Sequence, residues 1–443
     1  MIEYLNRQIH CTCGRVHSAE IMIVELGSGA AAKLPSILSR LGFNHPFVLA
    51  DTNTHAVLGK KILHILAGAG ILYTDFVLED EEVVPDEKTI GTVLTQFNPD
   101  CDVIIAVGSG TINDICRYIS HRVKLPYISA ATAPSMDGYA STVAPLITAS
   151  LKTTYPAHAP VAIIGDVDVL AEAPLPMIAA GFGDILGKIT CLADWQLSAV
   201  INDEYYCPEI AGMMEIALEN TLSCLEGLAK RDHQAVYKLM EALILAGVAM
   251  SFAGNSRPAS GSEHHLSHFW EMVLLFDNRK QILHGTKVGI GTVLVLKLYQ
   301  MLKREKLDFT KLKQLQPFQN YEDWEQSVGK AFGPAAESVI KLEQNAGKNL
   351  QENRLKRIAK MEERWSEIEG IIKGMPEPEY AIRLLEELGG PTAPEQIGID
   401  GETVYSSILY AKEIRDRYTV LQLLWDLGLL EEFAKLNGTF DKN

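Results

Sequence analysis

One short segment of the chain concentrates histidines in a pattern that could hold a divalent metal ion. His264 and His268 are four residues apart, so on a helix they share one face. His265 points elsewhere on such a helix and is expected to be structural. His284 stands 20 residues after His264, directly before another apolar helical pattern. Two or three imidazoles from this part of the chain could therefore reach one site.

An aspartate upstream could complete such a site. Asp184 lies in the apolar, glycine-rich segment 181–187, where a carboxylate is costly unless it is paired or binds a cation. One Asp with two or three His suits Zn²⁺ or a similar divalent ion and leaves an open position for a substrate. The alternative is that these side chains have separate capping and core roles.

Two glycine-rich loops compete as binding sites for the phosphates of a dinucleotide. Gly27-Ser-Gly29 follows the first predicted strand, and Asp51 stands 24 residues after Gly27, where an acidic residue can bind the ribose hydroxyls. Gly108-Ser-Gly110 follows another apolar strand and opens a helix. A glycine after a strand often serves only to form a turn. The two loops together favour a dinucleotide, because both are expected at the carboxyl edge of one parallel sheet.

A third loop is expected at the same edge. The stretch from Thr132 to Ser141 follows the last strand predicted for the sheet and is rich in turn residues. It could be a simple connection, but its place makes Asp137 a candidate for hydrogen bonding a polyol.

A parallel sheet must position these loops. Short apolar segments alternate with amphipathic ones along the first third of the chain, which predicts such a sheet with right-handed crossovers. The predicted strands are 21–26, 46–50, 71–77, 102–107 and 126–130, and 126–130 is predicted to be the last strand of the sheet. Residues 141–164 predict a linker or hairpin, and helical patterns dominate beyond about Asp168. The predicted fold class is an α/β, Rossmann-like N-terminal domain (1–164) followed by an all-α, metal-binding C-terminal domain (165–443).

Charge and hydropathy exclude several classes of protein. Lys and Arg number 40 against 56 Asp and Glu, which gives 40 − 56 = −16 and disfavours nucleic-acid binding. The N-terminus shows no secretory signal, and the longest nearly apolar stretch, 243–254, is too short to span a bilayer. We therefore expect no nucleic-acid partner and no membrane span.

The cysteines point to a reducing compartment. They number seven, without regular spacing, and do not make a disulfide framework, so a cytoplasmic location fits best. The N-terminal set His10, Cys11, Cys13 and His17 matches no common zinc module, and a metal is not expected there.

Five motifs together resemble the glycerol-1-phosphate dehydrogenase family, in its bacterial branch, within the superfamily of metal-dependent polyol dehydrogenases and dehydroquinate synthases. In chain order they are GSGTIND, TAPSMDGYAS, GFGDILGK, SRPASGSEHHLSH and HGTKVG, between Gly108 and Gly289. The ordered set is specific, and the chain length suits the bacterial branch. The region beyond about Tyr299 adds only helical content.

The resemblance implies a role for each matching residue. Asp184, His264 and His284 would bind the metal, with Zn²⁺ expected and Ni²⁺ or Fe²⁺ as alternatives. Asp137 and His268 would be catalytic and would contact the substrate. Asp184 would also contact the substrate. The residues implied in NAD(P) binding are Asp51, Gly108, Ser109, Gly110, Thr111, Asp114, Thr132, Pro134, Ser135 and Ser141. On charge grounds Asp51 favours NAD over NADP.

The implied reaction is the reversible reduction of dihydroxyacetone phosphate to sn-glycerol 1-phosphate, feeding glycerophospholipid or ether-lipid synthesis. The metal would act as a Lewis acid on the C2 oxygen, and the nicotinamide would deliver hydride to C2. A proton would pass through His268 or Asp137. Arg257 is the first candidate for binding the substrate phosphate, because it precedes the histidine motif and its guanidinium can donate two parallel hydrogen bonds to a phosphate. Lys188 is the second candidate. A homodimer is expected by analogy.

Two departures and three alternatives accompany this interpretation. Thr286 stands where many superfamily members have Glu after His-Gly, which leaves the surroundings of the metal ligands open, and Ser109 replaces a central glycine. The alternatives are a dehydrogenase of unphosphorylated polyols such as glycerol, a dehydroquinate-synthase-like lyase, and a nucleotide-responsive binding protein with a vestigial metal site.

Overall fold

The computed structural model describes residues 5, 7–148, 151–316 and 320–438. The chain forms two compact units, each built from two stretches of sequence. The first unit comprises Met1–Ile185 and Gly212–Asn255, and the second comprises Leu186–Ala211 and Ser256–Asn443. The division at residue 164/165 inferred from the sequence differs from this one. Helices 175–185 and 233–253 belong to the first unit. The former approaches the loop after Ala131 at Pro134, and the latter packs with Gly138–Ala140 and Ile23–Gly27.

The described residues contain ten strands. They are β1 Ile9–His10, β2 Val16–His17, β3 Ile23–Gly27, β4 Pro46–Asp51, β5 Thr74–Leu78, β6 Val103–Gly108, β7 Tyr127–Ala131, β8 Val143–Thr148, β9 Leu151–Pro156 and β10 Ala162–Asp166. Six of them form one parallel sheet in the order β3-β10-β7-β6-β4-β5. β1–β2 and β8–β9 are separate antiparallel hairpins. The parallel α/β sheet predicted from the sequence is thus confirmed.

The helices follow the apolar periodicity of the sequence. In chain order they are α1 Leu34–Leu41, α2 Thr52–Thr54, α3 Lys60–Gly68, α4 Glu87–Gln96, α5 Gly110–Val123, α6 Val167–Leu170, α7 Leu175–Leu186, α8 Lys188–Asn202, α9 Pro208–Leu222, α10 Leu225–Ala229, α11 His233–Ala253, α12 Ser262–Phe276, α13 His284–Leu302, α14 Phe309–Gln314, α15 Tyr321–Phe332, α16 Ala336–Ala346, α17 Gln351–Glu363, α18 Trp365–Gly374, α19 Pro378–Glu387, α20 Gly401–Tyr410, α21 Val420–Asp426 and α22 Leu430–Gly438. Short 3-10 or π segments cover Ala30–Lys33, His55–Gly59, Gly138–Ala140, Gly333–Ala335, Pro394–Ile397 and Ala411–Glu413.

The sheet has one more strand than the sequence predicts. β10 lies between β3 and β7 and pairs with both in parallel. Tyr127–Ala131 is therefore not the last strand of the sheet along the chain. All five residues of β10 are buried, whereas the sequence predicts its first three residues as part of a linker or hairpin. The hairpin half of that prediction is confirmed by β8 and β9.

The strand order creates a crevice at one point of the carboxyl edge. The chain leaves β4 outward to the edge strand β5 but leaves β6 in the opposite direction, toward β7. Open α/β sheets bind ligands where their strand order reverses in this way. β4 ends at Asp51, and β6 ends at Gly108, so both predicted cofactor residues lie at this crevice.

Each unit has its own apolar core. In the first unit the core residues lie on both faces of the sheet, which explains why its inner strands are apolar along their whole length. The second unit is helical throughout the residues that the structure describes, and its core includes Trp270, Leu298 and Leu423.

Two helical stretches are long and apolar enough to cross a membrane. They are Leu175–Asn202 and His233–Ala253, and 78% and 67% of their apolar windows are buried within the protein. Core helices of soluble proteins have the same properties, so these stretches are weak grounds for a membrane span.

Candidate active site

The three predicted site histidines lie together in the second unit, on α12 and α13. The ring centroid of His264 is 5.2 Å from that of His284 and 6.2 Å from that of His268, and the His268 and His284 rings are 5.6 Å apart. The two helices approach closely because Gly291 faces α12. A Cβ atom on Gly291 would lie 2.7 Å from the carbonyl oxygen of Glu263.

A buried carboxylate orients His264. The Oε1 oxygen of Glu263 lies 2.8 Å from Nδ1 of His264, and Glu263 also accepts hydrogen bonds from the Thr190 hydroxyl at 2.6 Å and the Gly261 amide at 2.7 Å. Burial raises the pKa of Glu263, but its hydrogen bonds with His264, Thr190 and the Gly261 amide outweigh this effect, so the pKa lies below its usual value. A charged Glu263 holds the proton of His264 at Nδ1, which leaves Nε2 to bind a ligand.

A second carboxylate serves the other two histidines. Glu271 on α12 lies 3.0 Å from Nδ1 of His268 and 3.5 Å from Nδ1 of His284. Lys287, almost fully buried, lies 3.0 Å from the same carboxylate and donates to the carbonyl of Ile282 at 2.6 Å. Glu271 therefore engages Nδ1 of both histidines rather than Nε2, and Lys287 balances its charge.

The sequence patterns assign no role to Glu263, Glu271 or Lys287. The signal for Glu271 was its spacing, three residues after His268 on one helix. Many superfamily members have Glu after His-Gly, where this chain has Thr286. Here the carboxylates that support the histidines come from α12 instead.

Beneath the start of α12 lies another buried acid, Asp194. It accepts hydrogen bonds from the amide and hydroxyl of Ser262, at 2.7 and 2.6 Å, and from the hydroxyl of Tyr299 at 3.0 Å. Burial and the nearby charge of Glu263 raise the pKa of Asp194 to about 6. Asp194 therefore fixes the first turn of α12, which carries His264.

His265 has the structural place that its position on the helix predicts. It is fully buried, and its pKa is well below the ordinary value because of burial and nearby positive charges such as that of Arg417. The ring is therefore neutral.

In the first unit, Asp184 and Asp137 lie in contact. The backbone amide of Asp137 donates to Oδ2 of Asp184 at 3.0 Å, and both side chains are buried. Gly181, one turn before Asp184 on α7, allows this approach, because a Cβ atom there would lie 1.9 Å from the carbonyl oxygen of Pro134. The predicted loop and the predicted metal ligand are thus brought together.

The first glycine loop is occupied by carboxylates of the protein itself. The amide of Gly29 donates to Asp166 at 3.0 Å and to Asp168 at 3.1 Å, and the Ser28 hydroxyl donates to Asp168 at 2.8 Å. Lys61 lies 2.8 Å from Asp166. Because two acids already use the donors of this loop, it does not offer an anion site.

The second glycine loop does suit a dinucleotide. α5 begins at Gly110, and the side chain of Ser109 does not cap it, so the first amides of a 14-residue helix face the crevice at the carboxyl edge. A Cβ atom on Gly110 would meet nothing closer than Met136 Cγ at 3.9 Å. Asp51, the last residue of β4, also lies at this crevice. One of its carboxylate oxygens accepts a hydrogen bond from the Thr54 amide at 2.8 Å.

The remaining predicted cofactor residues border the same edge. Thr132 donates its amide to the carbonyl of Gly108 at 3.3 Å. The buried Arg117 supports the loop from below: it donates to Asp114 at 2.7 Å and to the Gly138 carbonyl. Thr111 lies in the first turn of α5, and the other predicted residues lie in the loop after β7; these are Pro134, Ser135 and Ser141.

Arg257, the first candidate for binding the substrate phosphate, is engaged by other residues of the second unit. Its Nε and Nη2 atoms donate to Glu204, Nη1 donates to the Tyr418 carbonyl at 2.7 Å, and Nη2 also donates to Ser198 at 3.2 Å. The guanidinium is 3% exposed, and the cavity that it lines, of about 640 Å³, includes none of the three histidines. Arg257 therefore ties together segments of the second unit. Lys188, the other candidate, is fully buried and donates to the Ala259 carbonyl at 2.9 Å.

Comparison with known proteins identifies the family. Residues 25–174 match the family model described as iron-containing alcohol dehydrogenase. The chain is 35% identical over 428 residues to a glycerol-1-phosphate dehydrogenase [NAD(P)+] from Geobacillus stearothermophilus, covering 95% of this chain and 96% of the relative. It is 41% identical over 302 residues to one from Halalkalibacterium halodurans, covering 67% and 76%.

A solved structure supports the fold. The crystal structure of glycerol dehydrogenase from Schizosaccharomyces pombe matches with a TM-score of 0.60 at 17% identity, covering 94% of this chain and 90% of that one. The family expected from the five motifs is thus confirmed over nearly the whole chain. The chain belongs to the glycerol-1-phosphate dehydrogenase family of oxidoreductases.

Proposed function

We propose that the protein reduces dihydroxyacetone phosphate reversibly to sn-glycerol 1-phosphate with NAD(P)H, using a bound divalent metal ion. The observation that carries this proposal is the histidine cluster of α12 and α13, in which carboxylates hold every Nδ1 atom. Relatives of closely similar length that bear this enzyme name supply the substrate class.

The donor chemistry fits a divalent metal. Ligand atoms of His264 and His284 lie within 4.8 Å of each other, and carboxylates oriented behind histidines are typical of metal sites. We propose Asp184 as the third ligand. His268, Glu271 and His284 form another possible triad, but both oxygens of Glu271 already face Nδ1 atoms, so we assign Glu271 a supporting role. Nitrogen and carboxylate donors suit Zn²⁺, Ni²⁺ or Fe²⁺.

In the proposed reaction the metal and the cofactor supply the chemistry, and residues of the chain bind and orient the cofactor. When bound, the metal supplies Lewis acidity at the C2 oxygen of the ketone, and the nicotinamide supplies hydride. The amides of Gly110 and Thr111 hold the pyrophosphate, and Asp51 binds the adenosine ribose. Ser109, Asp114, Thr132, Pro134, Ser135 and Ser141 border the cofactor.

His268 is the proposed proton donor. Glu271 stabilises the doubly protonated imidazole, in which Nε2 carries the proton that the product oxygen takes. Asp137, buried in the loop after β7, is proposed to hydrogen bond a substrate hydroxyl and to share in the relay.

We further propose a homodimer in the cytoplasm. None of the seven cysteines, all within the described residues, forms a disulfide bond, which supports a reducing compartment. Sedimentation at micromolar concentration tests the assembly.

NADH oxidation tests the function. Metal-replete protein is expected to oxidise NADH with dihydroxyacetone phosphate, to lose this activity with a chelator and to form the sn-1 enantiomer. Faster turnover of unphosphorylated dihydroxyacetone would favour a polyol dehydrogenase. Product formation without net NADH consumption would favour a lyase, and no oxidation at all would refute the proposal.

A further inference from the structure

We propose that the N-terminal hairpin binds a structural Zn²⁺ ion through Cys11, Cys13 and His17. These residues belong to the first unit, and the site does not depend on the proposed catalytic function. β1 and β2 pair in antiparallel fashion, with Ile9 opposite His17, and the turn between them carries both cysteines. The turn is closed by the Cys11 amide donating to the Arg15 carbonyl at 3.1 Å, and it needs Gly14 at φ 84°.

The ligand atoms have the spacing of a metal site. The two Sγ atoms and a ring nitrogen of His17 lie within 4.8 Å of one another, and Cys13 Sγ is 3.3 Å from His17 Nε2. In a tetrahedral zinc site, bond lengths of about 2.3 Å to sulfur and about 2.0–2.1 Å to nitrogen place S and N about 3.6 Å apart. The Cys13 and His17 donors therefore fit around one ion after a shift of a few tenths of an ångström, and Cys11 Sγ lies within reach of the same ion.

The orientation of His17 is a second, independent observation. Its Nδ1 atom lies 3.0 Å from the carbonyl oxygen of Phe252, near the end of α11, and its ring stacks on the Phe252 ring at 5.5 Å. His17 is 2% exposed. Donation from Nδ1 to a backbone carbonyl fixes the tautomer in which Nε2 bears the lone pair, as in most metal-binding histidines. That lone pair faces the Cys13 sulfur.

The Cys11 sulfur has an amide donor, as metal-bound thiolates often do. The amide of Cys13 donates to Sγ of Cys11 at 3.5 Å. Two thiolates with one neutral imidazole neutralise a divalent ion and select a soft or borderline metal. Because structural zinc sites are almost always four-coordinate, the proposed site requires one donor besides these three. His10 is not a ligand: it is exposed and precedes the turn on the outer side of the hairpin.

The ion would fix the N-terminal hairpin to the end of α11. A hairpin with two-residue strands is too short to be stable by itself. Metal binding supplies the missing free energy, and it releases the two thiol protons.

Metal counting on the full-length protein tests the site. The His264→Ala/His284→Ala variant removes donors of the proposed catalytic metal and is expected to retain about one zinc ion per chain. Cys11→Ser/Cys13→Ser is expected to lose that ion, whereas His10→Ala and Cys224→Ser, which change another histidine of the hairpin and a thiol elsewhere, should keep it.

Cobalt replacement in the wild-type protein decides the question even if the cysteine variant does not fold. Co²⁺ at the hairpin should give intense near-ultraviolet thiolate-to-cobalt charge transfer, and the His264→Ala/His284→Ala variant should show the same band. Absence of this band from reconstituted wild-type protein would overturn the proposal. So would an equal zinc content in folded Cys11→Ser/Cys13→Ser and wild-type protein.

Discussion

Glu263 lies 2.8 Å from Nδ1 of His264, although the two residues are adjacent on one helix. Neighbouring side chains on a helix normally diverge. Here the first turn of α12 turns both inward, because Glu263 is also anchored by Thr190 and by the amide of Gly261. The carboxylate thus acts on the proposed metal through its neighbour.

Glu263→Gln is expected to weaken metal binding roughly 10–100-fold, because an amide cannot stabilise the Nδ1 proton of His264 as a carboxylate does. Competition with a chromophoric chelator measures the affinity. Glu343→Gln, the same change at another buried glutamate of the second unit, is the control and should leave it unchanged. Equal affinities in Glu263→Gln and wild-type protein would contradict the role given to Glu263.

Gly181→Ala is expected to destabilise the first unit by about 1–3 kcal/mol or more, because the new methyl group would overlap the Pro134 carbonyl. It should also disturb the loop that carries Asp137. Gly212→Ala is the matched control: Gly212 is also helical, has nothing within 4 Å of its Cβ position, and should gain stability slightly. Urea unfolding measures the stability of both variants. Equal stabilities would show that α7 and the loop do not need glycine at position 181 to approach each other.

Gly110→Ala tests the cofactor loop without disturbing the fold. The nearest atom to its Cβ position is 3.9 Å away, so the melting temperature should change little. The Kd for NADH should rise about tenfold or more, because the methyl group stands where the pyrophosphate must approach the amides. Gly91→Ala on α4, also without close neighbours, should change neither quantity. Unchanged NADH binding by fluorescence titration would rule out this loop.

Arg257→Ala is expected to destabilise the second unit by about 2–4 kcal/mol, since Glu204 loses its buried cationic partner and the Tyr418 carbonyl loses its guanidinium donor. The ratio of KM values for dihydroxyacetone phosphate and dihydroxyacetone should not change. Arg304→Ala, at an exposed position, controls for the loss of one positive charge. A selective rise in KM for the phosphorylated ketone would restore Arg257 as a phosphate ligand.

A buried charge cluster makes the second unit sensitive to acid. Burial alone would raise the pKa of Glu413, but Lys412 and Lys348 lower it to about 2. Because the folded-state pKa is below the unfolded value of 4.5, the carboxylate stabilises the fold above about pH 4.5, and this contribution disappears as the pH falls toward 2.

The expected contribution of Glu413 at pH 7 is about 3 kcal/mol, falling to about half at pH 3. The difference in unfolding free energy between wild type and Glu413→Gln, measured in urea, should shrink accordingly. Glu402→Gln, at an exposed position on α20, should show a small difference that does not vary with pH. A constant difference for Glu413→Gln would contradict the assigned pKa.

Local patterns in the sequence sufficed for much of this protein. Five of the six strands of the sheet, the switch to helices and the helical spacing of His264 and His268 depend on residues close together in the chain, where periodicity and turn chemistry act directly. The five motifs also identified the family, as the relatives confirm.

Tertiary structure decided what each candidate side chain contacts. Arg257 meets Glu204 and Tyr418, 53 and 161 residues away, and only this packing reveals that its donors are already used. His17 and the Phe252 carbonyl are 235 residues apart. Such partners leave no local pattern, because a hydrogen bond between distant segments depends on how whole elements pack. The sequence thus determined which residues have the chemistry, and the folded chain determined which of them remain available to use it.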